Sequence, residues 1–449
     1  MPKPPTGGPT DPVALRRRFL RLTGLNILAN VTVPLAGLVD TAMLGHLDSI
    51  RFLAGVALGG IIFDLIYWTF GFLRMGATGT TAQALGQGDD EEVERILHRS
   101  LVLALAAGLV LWAGRGVLED VAFRLLSGDP EVEAAGREYY RARIWGAPAT
   151  LANLAFLGWF LGREESRVAL AMTLVASLSN VLLNLLFIVE LGLAARGAGI
   201  ASALAQVAML LLALEFYRRR RLPRPDPSAI DRQGLWNRQA FRQLLGFQGD
   251  ILVRTLCLVG SFAVFTDASA RLGTQILAAN TLLVRLLTLV AHFVDGAAFA
   301  IESLAGRFFG AGHHRALRQL LSLAHRWGLG FAALCALVLV VLPGPLLGLL
   351  TSHQEVVDLA LRYLPWLIVT LVLGAPAYVF DGFFLGLTAG ATLRKAMLLS
   401  SLLVFAPLAT FAVSRGDADL LWLAMAAFTA ARVVTLGVAA RGLPIWRVV

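Results

Sequence analysis

The sequence predicts an all-α polytopic membrane protein, with twelve transmembrane helices in two six-helix lobes related by a pseudo-twofold axis along the membrane normal. Three observations predict it. Of 449 residues, 57% are hydrophobic and 15% charged, and the mean hydropathy is +0.70. That leaves too little polar surface to cover a water-soluble globule. Apolar runs of roughly 20 residues, each worth about 30 Å as a helix, recur along the whole length, so helices rather than barrel strands span the bilayer. Finally, the two halves resemble each other at an offset of 224 residues. Gly86-Gln87-Gly88 falls on Gly310-Ala311-Gly312, and Gly158-Trp159-Phe160-Leu161-Gly162 falls on Gly382-Phe383-Phe384-Leu385-Gly386. Each half holds an even number of spans, so the repeats share one orientation.

Residues 1–18 read as a proline-rich tail with no cleavage site after a short apolar core, so the first span is expected to be retained. The first lobe covers 19–216. Its opening span, 19–45, carries Asp40 about five residues below the outer end, roughly 8 Å down at 1.5 Å per residue. A carboxylate at that depth costs several kcal/mol unless it faces a watery cavity or a bundle interior. The second span, 53–75, carries Asp64 roughly 16 Å down and ends at Arg74. The third, 98–118, is apolar. The fourth, 139–161, brings Asn153. The fifth, 168–190, brings Asn180 and Asn184, one turn apart on one face. The sixth, 197–216, brings Ser202. Asp40, Asn180, Asn184 and Ser202 share one outer layer, with Asn153 somewhat deeper. A carboxylate with neutral oxygens at one depth suits a proton or small cation, because those dipoles share the desolvation cost. The same Asn and Ser residues also serve as interhelical hydrogen bonds worth about 0.6 kcal/mol each. Asp40 tips the reading toward function.

Residues 217–245 are the longest polar stretch and read as an inter-lobe linker. The second lobe covers 246–440, with spans near 246–268, 275–300, 320–350, 359–386, 396–414 and 418–440, and a tail at 441–449. Its ionisable residues lie toward the inner ends: Asp250 and Arg254 in the seventh span, Asp295 and Glu302 around the end of the eighth, and Asp381 in the tenth. Asp250 and Arg254 are one turn apart and are expected to pair. Such a cluster latches an inner gate or titrates during a cycle, and a static salt-bridge network is equally consistent with it. Cys257 and Cys335 sit within apolar runs and read as packing residues rather than a disulfide.

The net charge of +9 follows topology. About 25 of the 39 Lys and Arg fall on the side holding both termini and the even-numbered loops, which the positive-inside rule makes cytoplasmic. This is a pattern of membrane insertion and lipid contact, not a nucleic-acid footprint. The seven His are dispersed or in loops, including His313-His314, so no catalytic or resident metal site is expected. The chain does not read as an enzyme.

The stretch Val33-Pro34-Leu35-Ala36-Gly37-Leu38-Val39-Asp40-Thr41-Ala42-Met43-Leu44-Gly45-His46-Leu47 resembles the first-helix signature of multidrug and toxic compound extrusion (MATE) transporters, in their DinF-like branch. Further motifs agree in order and spacing: Phe72-Leu73-Arg74-Met75-Gly76 with Thr81-Ala82-Gln83-Ala84, Gly146-Ala147-Pro148-Ala149, Leu157-Gly158-Trp159, Asp295-Gly296 with Glu302, and Asp381-Gly382. The resemblance runs from about residue 20 to 400. It implies efflux of amphipathic, often cationic compounds across a bacterial cytoplasmic membrane, driven by inward protons or sodium. It also marks Asp40, Asn153, Asn180, the position of Asn184, and Ser202 as similar to a cation-coupling network. Two departures stand out. Asn184 occupies a position where related sequences usually carry Asp, and Asp64 stands where a small polar residue is expected, as a relocated carboxylate or a locally paired one.

The function expected is therefore a multidrug antiporter working by alternating access, a monomer with both termini cytoplasmic and with no cofactor. Protons are favoured as the coupling ion because the second carboxylate is lost; sodium at Asp40 is the alternative. A lipid-linked precursor flippase needs a strongly cationic cavity, whereas most arginines here lie at helix ends. A channel or a membrane-embedded enzyme fits the buried titratable group and the repeat less well.

Overall fold

A computed structural model describes residues 11–47, 49–126, 129–220, 237–351 and 353–446. No strand occurs among the described residues. The first half contains α1 (Pro12–Gly45), α2 (Ile50–Thr69), α3 (Phe72–Gln87), α4 (Asp90–Ala113), α5 (Arg115–Leu125), α6 (Pro130–Arg143), α7 (Ala147–Gly162), α8 (Ser166–Asn184) and α9 (Ala194–Arg220). The second contains α10 (Arg238–Leu272), α11 (Thr274–Gly310), α12 (His314–Val341), α13 (Pro343–Gly348), α14 (Gln354–Gly386), α15 (Gly390–Leu398), α16 (Ala406–Arg415) and α17 (Ala418–Arg441). Eleven described segments are long and apolar enough to cross a membrane, and the 34-residue α1 stands beside them.

Helix ends follow local chemistry. Asp89 accepts from the Glu92 backbone N–H at 2.8 Å at the head of α4, where Asp90, Glu91 and Glu92 oppose the positive end of the helix dipole. Asp129 and Asp417 cap α6 and α17 in the same way. Gly88 and Gly416, at φ 76° and 67°, close α3 and α16 in the left-handed conformation that glycine adopts without a Cβ penalty. The span of α6 and α7 bends through a 3₁₀ turn at Ile144–Gly146 just before Pro148. α8 and α15 run on through π-helical turns at Leu185–Glu190 and Leu399–Phe405.

The chain divides into two compact units, Leu28–Leu245 and Met1–Ile27 with Gly246–Val449. The lobe boundary expected at residue 19 thus falls inside α1. Its first half packs in the second unit: Asn26 Nδ2 donates to the Gly296 carbonyl at 3.3 Å, Phe19 meets Trp327 edge-on, and Gly296 has no room for a Cβ against Ile27. The linker expected at 217–245 is helical to Arg220 and from Arg238, and 221–236 lie outside the described residues. Asp295 and Glu302, expected around a helix end, sit within α11, which continues to Gly310.

The internal repeat reappears as packing. Gly158 and Gly162 of α7 lie so close to the carbonyls of Arg74 and Thr78 in α3 that any Cβ would collide. In the other unit, Gly382 and Gly386 of α14 lie equally close to the carbonyls of Ala298 and Glu302 in α11. All four pairs obey the same offset of 224 residues. Glycine is required here because main chain meets main chain. In the second unit's core, Trp422 Nε1 donates to Asn280 Oδ1 at 2.8 Å, so a buried indole N–H is satisfied. Cys257 and Cys335 are free and partly buried.

Candidate functional site

The first unit's site is built on Asp40, five residues from the end of α1 and half-buried. Asn184 Nδ2 donates to Asp40 Oδ1 at 2.5 Å. Asn180, one turn earlier on α8, has its amide nitrogen 2.8 and 3.0 Å from Asp40 Oδ1 and Oδ2 once the amide is turned to aim its donor at the carboxylate. The other end of that amide stands 3.3 Å from Ser202 Oγ of α9. Four of the six residues read as a coupling network are therefore brought into one chain of hydrogen bonds. Asn180 and Asn184 can both reach Asp40 because positions i and i+4 share a helix face.

The other two lie apart from that chain. Asn153, buried on α7, donates to the main-chain carbonyl and Oε1 of Gln206 at 2.9 and 3.0 Å. Asp64 is exposed on α2 and acts electrostatically on Arg143. Arg143 also acts on Asp40, donates to Tyr139 Oη, and lies 4.7, 5.8 and 5.5 Å from the ring centres of Phe63, Tyr67 and Tyr139. This aromatic-sided cation links the two carboxylates. Sequence reasoning passed over it, although Tyr139, Tyr140 and Arg143 lie on one turn at the head of a span.

The second unit pairs its charges differently from expectation. Asp250 and Arg254, read as partners, each take another. Asp250 pairs with Arg394 of α15, and Arg254 pairs with Asp381 of α14. Arg432 of α17 donates to the same Asp381 Oδ2 at 2.6 Å. Arg254, Asp381 and Arg432 are 6, 4 and 4% exposed, so the triad is an interior one. Asp295 acts on Arg254. Glu302 is buried further along α11. A one-turn spacing permits an ion pair but does not compel it, and the neighbouring helices offered better-placed partners. The charge exchange that tests the inner pair is accordingly Asp250→Arg with Arg394→Asp. It should recover part of the transport lost in either single variant, with a coupling of about 0.5–3 kcal/mol. A double variant no better than the worse single one would show that the pair has no role.

The MatE family model matches residues 26–186 and 251–434. The chain belongs to the MatE family. It is 36% identical to DNA damage-inducible protein F of Escherichia coli over 94% of this chain and 90% of that one. It is 24% identical to the probable multidrug resistance protein NorM of Thermotoga maritima, over 77% and 74%. A solved structure of a multidrug resistance MATE family transporter in its outward-facing conformation superposes with a TM-score of 0.85 at 20% identity, covering 96% of each chain. This MatE protein is thus a multi-pass membrane transporter of the efflux class and not an enzyme, as the sequence motifs implied.

Proposed function

We propose that this MatE protein is an antiporter that exports amphipathic, often cationic compounds in exchange for protons, with Asp40 as the coupling carboxylate. The observation that carries this reading is a contrast between two carboxylates. Asp381 is clamped by two guanidinium groups, whereas Asp40 has only neutral amides as hydrogen-bond donors and no Lys or Arg at ion-pair distance among the described residues. A carboxylate held by two arginines stays ionised. One held by amides can exchange its proton without breaking an ion pair.

The amides also supply a switch. With Nδ2 facing Asp40, Asn184 leaves its own Oδ1 buried without a hydrogen-bond partner, at a cost of about 1–3 kcal/mol. Once Asp40 is protonated it becomes a donor, and turning the Asn184 amide would offer that oxygen as the acceptor. Protonation would then replace one set of bonds by another, pass the unpaired position from the Asn184 oxygen to its amide nitrogen, and remove the charge that attracts a cationic substrate. In the proposed orientation both termini are cytoplasmic, and Asp40 lies in the outer part of the bilayer where external protons reach it. The exterior of each lobe contacts lipid, and the working unit is a monomer.

Purified protein in liposomes should export a cationic dye under an imposed pH gradient and show no added rate under a sodium gradient alone. A sodium-driven rate with no response to pH would reverse the choice of ion.

Asn184→Asp tests the same site from the other side. A second carboxylate beside Asp40 sets two like charges in one low-dielectric layer, and such a pair loses its protons in separate steps. The transport-versus-pH curve should gain a second transition, and any sodium dependence should strengthen. A single unchanged transition would place residue 184 outside the coupling site. Asp64→Asn is expected to alter coupling only through Arg143, giving a smaller change in rate than any variant of Asp40.

A further inference from the structure

An open cleft of about 470 Å³ lies within the first unit, where α4 gives way to α5, between Arg115, Gly116 and Glu119 on one side and Arg141 and Trp145 on the other. It shares no lining residue with the Asp40 network. Arg115 gives the cleft its chemistry. Its guanidinium lies against two indoles, with Cζ 4.7 Å from the Trp112 ring centre and 5.5 Å from that of Trp145. Nη1 donates to the Trp112 carbonyl at 2.9 Å, and the remaining N–H groups have no protein acceptor and keep accessible surface. Ring contact uses the faces of a guanidinium and leaves its edge, where the N–H groups point, for an acceptor. No carboxylate stands at ion-pair distance from Arg115 among the described residues. Glu119, one turn on, is 7% exposed and accepts instead from Arg137 and Arg141 at 3.1 and 2.8 Å. The apolar approach to the cleft is α4 itself. Val102, Leu105, Leu109 and Ala113 follow at i, i+3, i+7 and i+11, one face of a helix, and all four are exposed along a segment apolar enough to cross a membrane. In a bilayer this face meets acyl chains, and it ends in the cleft at Ala113.

We propose that this cleft binds the head group of an anionic phospholipid, phosphatidylglycerol being the simplest, with its phosphodiester on Arg115 and its chains along α4. A guanidinium that is backed by rings and lacks a countercharge offers a planar fork that matches phosphate oxygens, and Arg141 adds a second positive charge to the lining. Free phosphate would meet the same donors, but the exposed apolar face that leads into the cleft favours a lipid. A zwitterionic head is disfavoured, because it brings an ammonium toward two arginines while Arg115 already occupies the indole faces that would attract it. The site is independent of the proton-coupled reading of Asp40 and stands if that reading fails.

Native mass spectrometry of the purified full-length transporter, titrated with dioleoylphosphatidylglycerol or dioleoylphosphatidylcholine, tests the proposal. The wild type should bind one phosphatidylglycerol about tenfold more tightly than phosphatidylcholine, as one hydrogen-bonded contact between charged groups allows. Arg115→Gln should remove that preference. Because Arg115 also bonds the last turn of α4, Gly116→Glu supplies a second probe. A Cβ at Gly116 has nothing within 4 Å, so the new side chain enters open space at the cleft and sets a carboxylate where the phosphate would lie. It stands in the first turn of α5, where an acidic residue suits the helix dipole, and should remove the preference at unchanged thermal stability. Equal affinity for the two lipids in the wild type, a preference kept in either variant, or displacement of phosphatidylglycerol by an equal concentration of chainless glycerophosphoglycerol would each overturn the proposal.

Discussion

Asp40→Asn is expected to reduce pH-driven efflux to the level of protein-free liposomes while leaving the protein folded. The isosteric amide keeps the shape of the side chain and the contact with α8, so size-exclusion profile and thermal stability should match wild type. What it removes is the exchangeable proton. In the wild type, lowering the external pH below the internal pH should accelerate export, because protonation from outside discharges Asp40 and frees the cation it attracts. In the variant the same gradient should have no effect at any pH, while equilibrium binding of a cationic dye weakens because the attracting charge is gone. Wild-type pH dependence in Asp40→Asn would place the coupling group elsewhere.

The second large effect is on stability. Asp381→Asn should destabilise the second unit by about 3–5 kcal/mol, since it leaves Arg254 and Arg432 buried beside each other with no countercharge. Replacing all three residues together, Arg254→Met, Asp381→Leu and Arg432→Met, should recover most of that loss, because an apolar interior is often no less stable than a buried ion cluster. Thermal unfolding in detergent distinguishes the cases. A fully stable Asp381→Asn would mean that water or lipid already shares the charge of the arginines. In neither outcome is proton coupling at Asp40 expected to change its pH profile.

The parts of this structure that were legible in the sequence are those governed by local periodicity. The spans followed from apolar run length, and the chain from Asp40 through Asn184 and Asn180 to Ser202 followed from depth along each helix combined with the one-turn spacing on α8. Partners set by packing between distant helices were not legible in that way. Asp381 meets arginines 127 and 51 residues away, and Asp250 meets one 144 residues away. Asp250 and Arg254 illustrate the difference: their spacing made a local pair available, and tertiary contacts overrode it. Asn153, expected somewhat deeper than the Asp40 layer, bonds to Gln206, which shows that position along a helix leaves the choice of partner open. The first helix was assigned whole to one lobe because hydropathy is blind to which neighbour a helix packs against.

The glycine contacts explain how two halves of one repeat came to hold such different chemistry. Where α7 rests on α3, and α14 on α11, each glycine faces a carbonyl oxygen with no room for a Cβ between them. The helix crossing is set by main chain, so it takes no account of which side chain the facing residue carries. At equivalent places one half has Arg74 and Thr78, and the other has Ala298 and Glu302. A basic residue has been exchanged for a methyl group, and a hydroxyl for a carboxylate, with the close approach of glycine to carbonyl kept. Duplication thus handed the protein two copies of a joint that is indifferent to charge, and each half was free to specialise, one around a carboxylate held by amides and the other around paired arginines.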